Sequence, residues 1–467
     1  MAAAVTGAAG GLAPAQLGLF ERAIDALRPD GIAPLFYIWV PGRIEFLGKH
    51  TDYAGGRSLI CAVDRGIALA AAPRADRRLV MRDASRGERV EALLEPAAAP
   101  APPGDWVVYP ATVARRVARN FPGAAGADVA FASSLPSAAG LSSSSVLVTA
   151  SFLALSAVND LPSRHEYAAA IASPEDLAGY LGTVENGADF PGLPGDRGVG
   201  TFGGSEDHAA LLCGRPGALV QYAYAPVRFE GAVPLPPGHL LAVASSGVAA
   251  EKAGAARDRY NALSRRAAAL LDLWRATTGR ADATLAAAMT SSPHAPGVLR
   301  DAIAVLAGSA AAAGFVTGGA SGGGGVGGGG GGESAAALSA RLEQFLLESE
   351  ELVPAAGAAL LRGDLPALGA VVRRSQTAAE RLLGNQVPET SWLAREAVDG
   401  GARAASAFGA GFGGSVWALV PSAGATPFLD AWRGRYLAAF PRRAALADFF
   451  LTRAAGPAWT AATLPGV

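Results

Sequence analysis

Apolar and polar positions along this chain follow two periods. From Ala15 to Arg28 the apolar residues of AQLGLFERAIDALR recur at helical spacing, which predicts an amphipathic helix. Strand-like runs follow: FYIWV from Phe36, GIALAAAP from Gly66, LVMRD from Leu79 and ADVAFASS from Ala127. Between the last two, Trp106–Phe121 reads as a helix, and SSVLVTASFLALSAV from Ser144 as a helix buried on most sides. The second half opens with strand patterns at Ala218 (ALVQYAYAPV) and His239 (HLLAVASS) and a helix from Lys252 to Ala276. Further helical patterns cover SAAALSARLEQFLLES and LPALGAVVRRSQTAAERLL, before a strand pair at ARAASAF and SVWALV. Strands and helices alternate, so the expected class is mixed, α+β.

Punctuation divides the chain. RFEGAVPLPP, residues 228–237, reads as a linker, giving expected domains 1–230 and 231–467. Gly318–Ser334 (GGASGGGGVGGGGGGES) lacks the Lys-Ser/Thr that follows a Walker loop, and so pure a glycine run holds no single backbone shape. It is expected to be a disordered surface linker at about 318–334.

Composition narrows the function. At 467 residues and 51% hydrophobic, the chain can fill two cores. A net charge of -1 offers no field for nucleic acid or an anionic membrane. Cys61 and Cys213 lack metal spacing and suit a reducing, cytoplasmic setting. The start has no basic n-region, so a secretory leader is not expected, and the apolar window from Ala302 is too rich in Ala and Gly to span a bilayer.

Chemistry concentrates in four places. Within VPGRIEFLGKHTDYAGG, the residues Arg43, Glu45, Lys49, His50 and Asp52 crowd between an apolar run and a Gly-Gly stop, which suits a polyhydroxylated ligand. Lysine occurs only at Lys49 and Lys252, so a merely solvated loop is the weaker reading. LPSAAGLSSSSVL joins a strand to a helix; small residues, a helix N-terminus and serine hydroxyls can hold a triphosphate, or simply cap the helix. GTFGGSEDHAALL delivers Glu206, Asp207 and His208 after a tight turn, able to orient or deprotonate a hydroxyl. GAGFGG, Gly409–Gly414, is a glycine loop between two strands and on its own reads as a hairpin turn.

In this order, PGR-x5-KHTDYxGG, SAAGLSSSS, GGSEDH and GAGFGG resemble the motifs of the GHMP kinases, and within them the galactokinases. DWVVYPATVARRV and SSGVAAEKAGAARDRYNALSRRA resemble further family segments, so the resemblance runs from about Phe36 to Val420 outside the glycine linker. It implies a two-lobe fold, with an N-terminal lobe like ribosomal S5 domain 2 and a ferredoxin-like C-terminal lobe. It also implies a cytoplasmic, monomeric enzyme that uses ATP and Mg2+ to phosphorylate the anomeric hydroxyl of galactose or a related sugar.

The resemblance assigns residues as well. Arg43 and Asp207 would flank the attacking hydroxyl as catalytic groups, and His50, Asp52 and Tyr260 would bind the sugar, with Lys49 beside it. Gly140, Leu141, Ser142, Ser143 and Ser144 would wrap the phosphates, with Ser144 and Glu185 on the metal. Trp106 and Tyr109 would lie near adenine, where core packing is the plainer alternative, and Gly411 would approach the nucleotide.

Three departures stand out: Lys49 replaces a glutamate, Glu45 an asparagine, and EDH the family's MDQ. A lysine has donors and no acceptor, so it could select a uronic acid such as galacturonate. Alternatively, Glu45 and Lys49 exchange charge, pairing with each other beneath an unchanged galactose site, and their joint change favours this. A mevalonate- or homoserine-like kinase is opposed by HTDYxGG and YNALSRR, and a silent sugar sensor by the intact serines and Asp207. The sugar, the oligomeric state and whether Asp207 is a true base are left open.

Overall fold

The computed structural model describes residues 12–102, 105–136, 143–248, 254–308 and 333–465. The phosphate-loop positions Gly140, Leu141 and Ser142 lie outside them, as does the glycine run apart from Glu333 and Ser334. Ser334 caps the helix Ala335–Phe345, its hydroxyl accepting from the Ala337 N–H.

Thirteen strands form two sheets among the described residues. In chain order they are β1 Phe36–Leu47, β2 Arg57–Pro73, β3 Arg78–Asp83, β4 Glu88–Leu93, β5 Ala127–Ser133, β6 Ala218–Ala223 and β7 Arg228–Pro234. Then come β8 His239–Ser245, β9 Ala404–Phe408, β10 Ser415–Pro421, β11 Asp448–Thr452, β12 Ala454–Ala455 and β13 Trp459–Ala461. The larger sheet runs β13-β1-β2-β5-β3-β4, with β6 and β12 also on β2 and β7 on β6. The smaller runs β11-β8-β10-β9 and is antiparallel throughout. This is the α+β class that the pattern predicts.

Two expectations change in the structure. FYIWV is only the beginning of β1, which continues through the polar motif to Leu47. Its ladder with β2 shifts register between Pro41 and Arg43 and again between Glu45 and Leu47. Bulges of this kind re-aim side chains, and here Ile44 and Phe46 enter the core while Arg43 and Glu45 line a cleft. The expected linker also differs, because Arg228–Pro234 is β7, paired to β6 with Val233 buried in the core. Pro234 stands at the strand's end and Pro236 beyond it, where no ladder donor is lost, so proline marked an edge rather than a connection. The chain also returns to the larger sheet at its C-terminal end, through β12 and β13.

A shared core joins the sheets. Ile44, Phe46, Leu59 and Val63 from the larger sheet pack with Leu241, Val243, Trp417 and Phe450 from the smaller. The Phe46 and Trp417 rings stack with centroids 3.9 Å apart and an 18° interplanar angle. The helices Val108–Asn120, Ser143–Asn159, Pro174–Asn186 and Glu206–Cys213 cover the larger sheet in a second core. Trp417→Ala should therefore destabilise the protein by about 3–5 kcal/mol in urea unfolding. A loss below about 1 kcal/mol would mean that this ring is not part of the junction.

Candidate active site

Arg43 leaves β1 and reaches the first turn of the helix Glu206–Cys213, where its Nε donates to Asp207 Oδ1 at 2.6 Å. Burial alone would lower the Arg43 pKa, but Asp207, Glu45 and Glu206 around it outweigh that and hold it above its usual value. From Asp207 a polar chain runs inward. Ser145 Oγ lies 3.1 Å from Asp207 Oδ2 and 2.8 Å from Glu185 Oε2. The same Glu185 oxygen meets His208 Nε2 at 3.0 Å, and His208 Nδ1 meets Thr149 Oγ1 at 3.2 Å. His208 donating from Nε2 and accepting at Nδ1 satisfies both contacts, which fixes the Glu185 carboxylate.

The hydroxyl between the two carboxylates thus belongs to Ser145, one residue beyond the expected Ser144. A helix turns by about 100° per residue, so a single step changes which serine faces the cleft. Glu185, despite ADFPGLPGDR after it, lines the same cleft as Asp207. That segment is tied down by buried arginines: Arg115 pairs with Asp196, and Arg116 donates to the Ala188 carbonyl at 3.0 Å.

The sugar-type residues gather beside this chain. Arg43, Glu45, His50, Asp52, Ser145, Glu185, Glu206, Asp207 and Tyr260 line one cleft of about 470 Å³, open to solvent and floored by Gly203, Gly204, Gly409 and Ala410. Asp52 Oδ2 accepts from the Glu206 N–H at 3.3 Å. A Cβ at Gly204 would come within 2.5 Å of that Asp52 oxygen, so only glycine allows this approach. His50 takes a left-handed φ of 59°, with Nδ1 3.0 Å from the Tyr53 hydroxyl and Nε2 3.1 Å from the Ala410 carbonyl. Its ring also lies 5.2 Å from that of Tyr260.

What holds this turn was not apparent from the motifs. Gln344 donates to the Lys49 carbonyl at 2.9 Å, and Arg341 to the His50 carbonyl. Glu348 Oε1 accepts from the Gly48 N–H at 2.9 Å and the Lys49 N–H at 3.3 Å. Glu348 lies in a π-helical segment, Leu346–Leu352, continuing the helix Ala335–Phe345. Polar residues at this spacing on a helix that also supplies core Leu342 and Phe345 were the available signal.

Lys49 does not line the cleft. Its side chain is buried and donates from Nζ to Ser375 Oγ at 3.0 Å, and that hydroxyl donates to Glu348 Oε1 at 2.9 Å. Glu45 faces the cleft in its stead. Burial first, and Glu348 in addition, push the Glu45 carboxyl up to about 7, against the pull of Lys49 and Arg43. Trp106 and Tyr109 are not in this lining either. Trp106 donates to Glu88 at 2.9 Å and sits edge-on to Phe131, while Tyr109 packs on the core. Gly411 has φ 77° and a Cβ there would meet the Asn385 carbonyl at 2.4 Å, so it shapes the loop whose Gly409 and Ala410 reach the cleft.

Two interlocked sheets with such a cleft between them define the two-lobe GHMP kinase fold. The galactokinase galactose-binding signature matches residues 30–73, and the GHMP kinases N terminal domain matches residues 108–189. The galactokinase of Actinobacillus succinogenes is 33% identical over 131 residues, a match covering 28% of this chain and 34% of that relative. Lactococcus lactis galactokinase complexed with galactose shares the fold with a TM-score of 0.68 and 19% identity, over 94% of this chain and 98% of that one. Methanococcus jannaschii mevalonate kinase follows at a TM-score of 0.50 and 11% identity, over 91% and 99%. In these segments the chain is similar to the GHMP kinases and, among them, to the galactokinases, and its matched part spans about a third of the length of that relative. No helix among the described residues is long and apolar enough to cross a membrane.

Glu45 generates a stability prediction. Its pKa is raised from 4.5 to about 7, so the folded protein binds more protons than the unfolded chain and loses stability as pH rises through that window. Glu45→Gln should raise the melting temperature above about pH 7 and change it little near pH 4.5. An unchanged melting temperature at high pH would sink the assignment.

Proposed function

We propose that this chain is an ATP-dependent sugar 1-kinase, transferring the γ-phosphoryl group of ATP to the anomeric hydroxyl of galactose or a related neutral sugar. The observation that carries this reading is the Arg43–Asp207 contact at 2.6 Å in the lining of a cleft that also holds His50, Asp52 and Tyr260. A sugar hydroxyl set against Asp207 donates its hydrogen bond to the carboxylate, its oxygen bonds to the γ-phosphorus, and the bond from that phosphorus to ADP breaks. The hydroxyl proton passes to Asp207. Arg43 compensates the Asp207 charge and stabilises the charge that spreads over the phosphoryl oxygens in the transition state. Asp52 and His50 fix the ring through its other hydroxyls, with Tyr260 closing that side.

Glu185 and a serine hydroxyl, Ser145 by geometry and Ser144 beside it, fit a magnesium ion, since hard oxygen donors from the protein are completed by phosphates. Bound there, Mg2+ would neutralise charge on the phosphates. Under this reading residues 140–144 receive the triphosphate and Trp106 and Tyr109 lie towards adenine. Residues 1–230 would carry most of the chemistry, and residues 231–467 would supply Tyr260, the glycine loop and the helix that clamps the sugar turn.

Lys49 directed towards Ser375 counts against the uronate alternative, because a sugar carboxylate in this cleft would meet acidic side chains rather than an ammonium. The intact Arg43–Asp207 pair counts against a silent sensor. ADP release should be measured with ATP, Mg2+ and a panel of galactose, galacturonate, glucuronate and arabinose. Galactose or arabinose should be turned over, and Asp207→Asn should lower kcat by about 10²–10⁴-fold. Preference for a uronate would overturn the neutral-sugar reading, and undiminished turnover in the variant would overturn the role of Asp207.

A further inference from the structure

Glu45 stands two residues beyond Arg43 on β1, and Glu206 adjoins Asp207 on the helix opposite. A second pair of side chains therefore lies alongside the first: Arg43 meets Asp207, and the carboxyls of Glu45 and Glu206 are close neighbours in the lining of the same cleft. Both glutamates are buried, both line the cleft, and the resemblance to galactokinases predicts neither of them. Glu45 Oε2 accepts from the Gly409 N–H at 3.3 Å. Its Oε1 is buried in the cleft wall and receives no hydrogen bond from any N–H or O–H among the described residues.

Two carboxyl groups that are close neighbours cannot both be charged without strong repulsion, so the pair retains a proton. With one proton it presents a donor and a charged acceptor side by side. A hydroxyl group has the same two capacities and is complementary to it. We propose that Glu45 and Glu206 act as one proton-sharing carboxyl pair that receives a ring hydroxyl of the sugar acceptor, making Glu45 a specificity-determining residue that admits neutral sugars and rejects uronates. This rests on the sugar-kinase reading above.

The surroundings set the direction of the pH dependence. Around Glu45, burial and Glu348 oppose ionisation while Lys49, Arg43 and the neighbouring Glu206 carboxyl favour it, and the Tyr53 phenol stands nearby. Around Glu206, burial, Glu45, Asp52 and Asp207 oppose ionisation and Arg43 favours it, with the Tyr224 phenol adjoining. Glu45 is thereby held near 7 and Glu206 well above the usual carboxyl range. As pH rises through 7 the pair passes from two protons to one and gains its charged acceptor. Hydrogen bonds to a charged acceptor are the stronger, so the sugar binds more tightly above this pH than below it.

The test is titration calorimetry of D-galactose into the full chain without ATP, for wild type, Glu45→Gln and Glu206→Gln, with melting curves to confirm folding. Wild-type Kd should tighten by about fivefold between about pH 6 and about pH 8. Glu45→Gln, whose amide still accepts a hydrogen bond but does not titrate, should bind galactose with a flat pH profile and should bind galacturonate no more weakly than wild type does. Glu206→Gln should keep the rise in affinity with pH, because burial and Glu348 still hold the Glu45 carboxyl up, but should move its midpoint, and it serves as the readout if the first variant does not fold. A flat wild-type profile with turnover of galactose intact would overturn the carboxyl pair and leave the kinase reading standing. Galactose that is neither bound nor phosphorylated by wild type would overturn both.

Discussion

Among the described residues, Arg43 is the one arginine or lysine in the lining of a cleft that also contains Glu45, Asp52, Glu185, Glu206 and Asp207. The rest of the site depends on how that charge is spent. Its Nε goes to Asp207, and its field also stabilises Glu45 and Glu206. Removing one partner from a buried ion pair costs about 3–5 kcal/mol, because the other is left uncompensated. The same arrangement that makes Arg43 expensive to lose makes it well placed to stabilise charge that develops beside it.

Holding such a centre requires rigid supports on both sides. The bulges in β1 aim Arg43 and Glu45 at the cleft while the alternating Ile44 and Phe46 enter the core shared by the two sheets. The turn that follows carries no regular ladder, and its backbone polar groups are taken up by Arg341, Gln344 and Glu348. Its most strained residue, His50 in the left-handed region, is fixed at its carbonyl by Arg341 and at its ring by Tyr53 and Ala410. Strain of this kind persists only where the surroundings over-determine it, and here they come from elements almost 300 residues further along the chain.

Much of this was legible in the sequence. Arg43, His50, Asp52, Asp207 and Glu185 stand together because short motifs report local backbone shape and local chemistry, and those survive folding unchanged. Ser145 in place of Ser144 was not legible, since a run of identical serines gives no phase for the helix that begins there. The linker at residues 228–237 was misread because proline at a strand edge and proline in a connection look alike in one dimension. The clamp from Arg341, Gln344 and Glu348 was hidden for another reason. Its partners are main-chain groups, which have no identity in sequence.

The exchange of Glu45 and Lys49 follows from the same electrostatics. A lysine where the family has an acid would place an ammonium beside the sugar if it kept that acid's direction. Instead Lys49 is buried and donates to Ser375, which in turn donates to Glu348, while Glu348 also holds the backbone N–H groups of Gly48 and Lys49. The positive charge is thus neutralised beneath the turn, and it acts on the cleft only through space, by favouring the ionised form of Glu45. The carboxylate has moved along β1 rather than disappeared. The cleft therefore keeps a carboxylate near this position, and under the proposed sugar-kinase reading its changed place, and with Glu206 its proton, would bear on discrimination among sugars.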